Sequence, residues 1–238
     1  PVVKASNTSH QLYMLALNPA DAFTTADERD QLWAALRGDD PGLVDLLGPI
    51  ESIPMDYRIE YVFNHTTLDS PEAEFEQLKP WMKRLPQDAK ERVYTAQTLL
   101  LVKGALDRLP NAQETRLTLA ALVFLAEKYT GVIFDLLNRQ ALTAAQIRAR
   151  LSSGHRLAPQ VRLIGAHVDG HKGIRSVGLP KYGLFDVFLA SADPRQDSNY
   201  LGKVIDALLK GDALPETIHL KPCTSTRLDY GCYRVFRR

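Results

Sequence analysis

The stretch Val161–Ser191 constrains the chain most. It reads VRLIGAHVDGHKGIRSVGLPKYGLFDVFLAS, with apolar runs on either side of Asp169-Gly170. A two-residue turn of the primed type needs positive φ at both central positions, which Asp tolerates and Gly adopts freely. Pairing outward from that turn sets Val168 opposite His171 and His167 opposite Lys172. A break at Gly178–Pro180 separates this hairpin from a third alternating run, Leu184–Ala190. Three successive strands make a meander, the centre of a sheet onto which the rest must pack.

The remaining chain alternates strand and helix signals. Gln11–Leu17 reads as the first strand, ended by Asn18-Pro19. Thr24 or Thr25, followed by Asp27 and Glu28, opens a helix that carries Leu32, Trp33 and Leu36 inward and stops at Gly38. Pro41–Leu47 is expected as a short helix and Tyr57–Phe63 as a strand of period two. Asp69-Ser70-Pro71 starts another helix, to about Leu85. Arg92–Val102 ends in the solid block Leu99–Val102, the pattern of a strand buried on both faces.

Asn111 with Glu114 resembles a capping box, and Leu117, Ala120, Ala121, Phe124 and Leu125 then recur at helical spacing up to a stop at Gly131. Val132–Leu136 follows as a strand, so Leu99–Val102 and Val132–Leu136 are expected as neighbouring parallel strands of a βαβ unit. Beyond the meander, Asp193-Pro194 opens a helix bearing Tyr200, Leu201, Val204, Ile205, Leu208 and Leu209, and Cys232–Phe236 closes the sheet. The fold class is therefore α+β: a mixed β-sheet with a βαβ unit and a C-terminal antiparallel meander, helices packed on the sheet. The best boundary is Pro86–Arg92. It divides the chain into an N-terminal α/β subdomain, 1–88, and a C-terminal α+β subdomain, 89–238, unless both form one continuous domain.

The 29 basic and 28 acidic residues nearly cancel, which argues against a nucleic-acid partner needing a basic surplus. No apolar run approaches the ~20 residues that span a bilayer. A cytoplasmic location is favoured. A start at Pro1 also fits an export signal removed ahead of it, which would make the protein periplasmic. Cys223 and Cys232 flank a turn signal at Asp229–Gly231; two free buried thiols are the default expectation, with a disulfide as the alternative in an oxidising compartment.

One resemblance rests on the strand–helix order ending in Gly131–Asp135 and on the meander motifs Arg175–Leu179 and Tyr182–Val187. Together they resemble an uncharacterised bacterial domain-of-unknown-function family, over roughly Arg92–Arg238. In that family a basic-x-x-Gly motif leads into a Phe-Gly-x-x-Glu strand. Tyr182-Gly183 matches it, while Asp186 stands where Glu is usual. The family has no known activity, so the resemblance implies the fold only.

Chemistry-bearing patterns are few. His167-x-Asp169-x-His171 would present three metal ligands on one face of a continuous strand. The hairpin turn at Asp169-Gly170 breaks that face, so no metal is expected. Cys223 and Arg227 are separated by three residues, where a phosphate-cradling loop needs five. No glycine pattern for nucleotides and no nucleophile elbow is present, so no cofactor is expected. Asp135 and Asp186 end or interrupt apolar strands, where a carboxylate either caps an amide or serves catalysis.

The leading reading is a bacterial, non-enzymatic protein that binds another protein, as an immunity, adaptor or accessory factor. The alternative is a hydrolase or small-molecule-binding domain with a site at the strand ends near Asp135, His167 and Asp186. The sequence names neither partner nor oligomeric state.

Overall fold

The structure, a computed structural model, describes residues 9–18, 22–43, 61–106, 111–152, 161–191, 193–210, 212, 218–223 and 232–237. Two compact units are present: Gln11–Gly154, and His155–Arg238 together with Pro1–His10. The division therefore falls at 154/155, inside the stretch Ser152–Pro159 that reads as a linker. It does not fall at 88/89. The reason is that strands from both sides of residue 88 pair with each other in one sheet.

That first sheet comprises β1 (Ser9–Leu17), β2 (Tyr61–Thr67), β3 (Thr98–Leu106), β4 (Val132–Asp135) and β5 (Gln140–Leu142), in the order β2-β3-β1-β4-β5. β1 is antiparallel to β4, with Leu15 opposite Ile133. The Gln97 amide, just before β3, donates to the Leu17 carbonyl at the end of β1, so β3 starts where β1 ends. β3 and β4 thus run the same way, but β1 lies between them. The expected βαβ unit is present in split form, and its two strands are not neighbours. The inserted strand comes from far away in sequence, where no local pattern announces it.

Side-chain alternation along β1 builds two cores. Tyr13, Leu15 and Leu17 join Leu100 and Val102 of β3 under the helices α1 (Ala26–Ala34) and α4 (Asn111–Lys128). Ala16, with Met14 packed alongside, joins Phe134, Phe75, Met82, Ala89 and Val93 on the opposite face. The solid block in β3 is apolar throughout because both faces of its sheet are covered. The helix expected to reach Leu85 is broken into α2 (Pro71–Glu76) and a 3₁₀ segment, Lys79–Arg84, with Pro80 at its start. Helix α3 (Gln87–Tyr94) then occupies the expected boundary Pro86–Arg92 and the first residues of the Arg92–Val102 run.

β2 runs to Thr67, past the expected end at Phe63. The strand start at Tyr57–Glu60, most of the Pro41–Leu47 helix and the Asp229–Gly231 turn lie outside the described residues.

Helix ends follow their chemistry. Thr25 caps α1 in a reciprocal box with Glu28, which also accepts from the Phe23 amide and the Tyr129 hydroxyl. Burial acts to raise the Glu28 pKa, but these donors together bring it down to about 2. At the end of α4 the left-handed residue is Thr130, at φ 49°, and not the expected Gly131. The Gly131 amide donates to the Ala126 carbonyl at 2.7 Å, closing a Schellman turn. Gly131 is needed there for space, since a Cβ on it would sit 2.4 Å from Leu17 Cδ2. Thr130→Gly is therefore expected to stabilise by about 1 kcal/mol, because a β-branched residue leaves a strained conformation. A denaturant melt with an unchanged or lower midpoint would refute this.

The second unit carries β6 (Arg162–Val168), β7 (His171–Val177), β8 (Asp186–Ala190), β9 (Ile218–Pro222) and β10 (Cys232–Arg237), ordered β6-β7-β8-β10-β9. β6, β7 and β8 form the expected antiparallel meander. Val168 faces His171 and His167 faces Lys172, across a turn with Asp169 at φ 50° and Gly170 at φ 77°. β8 and β10 are parallel neighbours, which makes the sheet mixed. Helix α5 (Pro194–Lys210) lays Leu201, Val204 and Ile205 against Ile174, Val187, Leu189 and Val235.

Cys223 is disulfide-bonded, and Cys232 is the chain's other cysteine. The default of two free thiols is thus overturned. The antiparallel register of Tyr233 with Pro222 explains it, since the next pair outward is 232 with 223.

Candidate functional site

Asp135 ends β4 fully buried, and its carboxylate organises the turn into β5. Oδ1 accepts from the Asn138 amide at 3.1 Å and Oδ2 from Asn138 Nδ2 at 2.8 Å. Gln140 Nε2 donates to the same Oδ2 at 3.5 Å, and Arg150 Nη2 donates to Gln140 Oε1. Arg139 in this turn holds φ 49°, which the carboxylate's grip on Asn138 helps to fix. This is the amide-capping role of a strand-end carboxylate.

Asp186 is likewise buried, at the start of β8. Arg175 Nη2 pairs with its Oδ2 at 3.1 Å, while Ser176 Oγ and the Leu179 amide donate to Oδ1, each at 3.2 Å. Ser176 Oγ in turn accepts from the Val187 amide at 2.8 Å. Burial pushes the Asp186 pKa up to about 6, against the opposing pull of Arg175 and the donors at Oδ1. The group locks the end of β7 and the buried 3₁₀ turn Leu179–Tyr182 to β8. The motifs Arg175–Leu179 and Tyr182–Val187 stand out in the sequence, but the bonds from Arg175 and Ser176 to Asp186 depend on strand register.

His167 is exposed on β6 near the hairpin tip. It faces residue 172, whereas Asp186 lies beside the 177 end of β7. Five residues of strand, about 17 Å, separate those ends. Asp135 belongs to the other unit. The structure therefore does not gather His167 and Asp186 into one strand-end site. The metal candidates fare no better, since His167 faces Lys172 and His171 faces Val168, which puts the two imidazoles on opposite faces. Asp169 is in the turn itself. Among the described residues no group of three potential ligands comes together.

What the second sheet does present is an edge. Among the described residues β6 pairs with β7 alone. A two-residue turn makes Val168–His171 a hydrogen-bonded pair, and such pairs alternate with non-bonded ones along the ladder. The N–H and C=O groups of Leu163, Gly165 and His167 therefore point away from β7. Gly165 is exposed, and a Cβ on it would meet nothing within 4 Å. Ile164 beside it is 36% exposed, the one exposed large hydrophobic among the described residues. Between Arg162 and His167 the edge carries no charge.

The opposite edge of the same sheet differs. β9 ends in exposed Lys221 and Pro222, and Cys223 just beyond is tied by its disulfide. Lysine and proline are the ordinary guards against strand addition. Nothing local in the sequence marks Ile164 and Gly165 as an edge, because the turn at Asp169-Gly170 fixes only the strand on one side of β6.

Comparison with known proteins adds no assignment: no family model, curated protein or solved structure matches the chain.

Proposed function

We propose that the protein is a non-enzymatic protein-binding factor, of the immunity, adaptor or accessory kind, which takes a polypeptide strand along the edge of β6. One observation supports the reading: of the two edges of the second sheet among the described residues, β9 is guarded and β6 is open, uncharged at its centre and apolar at Ile164. An extended segment added there satisfies the outward main-chain groups and covers Ile164. The chemistry of the alternative is absorbed elsewhere, since Asp135 and Asp186 are each engaged by donors that fix a turn.

Gly165→Pro tests the proposal. Proline removes the outward N–H of residue 165 and leaves the β6–β7 hydrogen bonds intact, the one place a strand tolerates it. Immobilised wild-type protein is expected to retain a polypeptide, whether another protein of the host or another copy of itself, that the proline variant releases. Equal retention by the two would refute strand addition at this edge.

A further inference from the structure

We infer that the strand received by β6 is β6 of a second copy of this chain, paired antiparallel about a two-fold axis through Gly165. The inference rests on the reading of β6 as a binding edge and names its partner. Three observations carry it.

The first is register. The outward groups belong to residues 163, 165 and 167, a set symmetric about 165. Antiparallel self-pairing centred there sets Gly165 against Gly165, Leu163 against His167 and Ile164 against Ala166. Every outward N–H and C=O then meets its complement, and seven residues of each strand are used. The arrangement is isologous, the commonest symmetry among homo-oligomers.

The second is charge. Self-pairing places Arg162 opposite Val168 of the other copy and next to its Asp169. The symmetry makes the same opposite-charge approach twice, and Arg162 meets no like charge, since it faces the apolar Val168.

The third is side-chain space. At the axis, where two copies of one residue must meet, stands a glycine with open surroundings. On the face shared by Ile164 and Ala166, each copy's exposed Ile164 gains Ala166 of the other as a direct cross-strand neighbour. The product is a sheet continuous through both copies, with the guarded β9 edges outermost.

Sedimentation of the whole chain over a range of concentrations, with variants, tests the inference. Wild type is expected to dimerise reversibly, and Gly165→Pro to remain monomeric. Asp169→Asn keeps a residue that accepts the turn and is expected to weaken dimerisation about two- to thirtyfold, as loss of two exposed ion pairs does. Gly165→Cys reads the axis directly. Paired residues at this position have Cα atoms about 5.5 Å apart, within the span of a disulfide. The Gly165→Cys variant alone is expected to cross-link to itself on oxidation. Leu163→Cys and His167→Cys are each expected to cross-link only when mixed with the other.

A wild-type monomer at every concentration would overturn the inference, as would a dimer that survives Gly165→Pro or a self-cross-link at Leu163→Cys. A monomeric wild type that retains a different host protein, lost in Gly165→Pro, would overturn the second copy as partner while leaving strand addition standing.

Discussion

Gly173→Ala is expected to destabilise the second unit by at least about 3 kcal/mol, the upper range for forcing one extra carbon into a packed position. Gly173 lies opposite Ala190 where β7 meets β8. A Cβ there would fall 2.1 Å from the Leu189 carbonyl oxygen and 2.9 Å from Ala190 Cα. Both are backbone atoms of a neighbouring strand, so no rotamer change relieves the overlap. Relief requires separating β7 from β8 where the meander is held together. Gly165→Ala, in the fourth pair from the turn and one pair beyond Gly173 in the same hairpin, is the control. It meets nothing within 4 Å and is expected to change stability by no more than about 0.5 kcal/mol. Far-UV circular dichroism follows both units during melting. The two tryptophans, Trp33 and Trp81, lie in the first unit, so their fluorescence distinguishes its transition. Equal midpoints for the two glycine variants would mean that β7 and β8 do not approach as described.

The contrast between these glycines marks what a sequence can express. Asp169-Gly170 announces its turn because the constraint is local: two residues must hold positive φ, and few pairs can. The meander and the helix Pro194–Lys210 were legible for the same reason, each carrying its own period. Gly173 carries no such mark. Its need for a missing side chain arises from Leu189 and Ala190, sixteen and seventeen positions along the chain. Likewise β1 enters between β3 and β4 through long-range pairing, which no local periodicity records.

Thr130 shows the opposite failure. A glycine one residue later was the natural stop, yet the left-handed position fell to a β-branched residue because Gly131 was required for close approach to Leu17. The candidate carboxylates were legible as unusual and illegible as to purpose. An acid in an apolar strand is visible in the sequence, but the donors that occupy it, Asn138 for Asp135 and Arg175 and Ser176 for Asp186, are known only once the turns and register are formed.

Asp186→Ala is expected to cost about 3–5 kcal/mol, because it strips the partner from a largely buried guanidinium. Ser176 Oγ and the Leu179 amide lose their acceptor in the same step. Asp186→Asn keeps an oxygen for one of these donors and should lose less. The two substitutions also differ from wild type in pH dependence, and the sign follows from the direction of the shift. The Asp186 pKa stands near 6 in the folded protein, against 3.8 as its ordinary value. Between these values the folded state holds a proton that the unfolded chain has released, so stability falls as pH rises from about 4 to 6. The full difference is on the order of 3 kcal/mol, with the folded protein favoured at the acid side. Subtracting an Asp186→Asn stability curve from that of wild type isolates this carboxyl from the other acids. The difference should decline across that window and be flat above it. A difference that instead rises with pH would mean that Arg175 and its companion donors outweigh burial, and that Asp186 is held as a carboxylate in a strong ion pair.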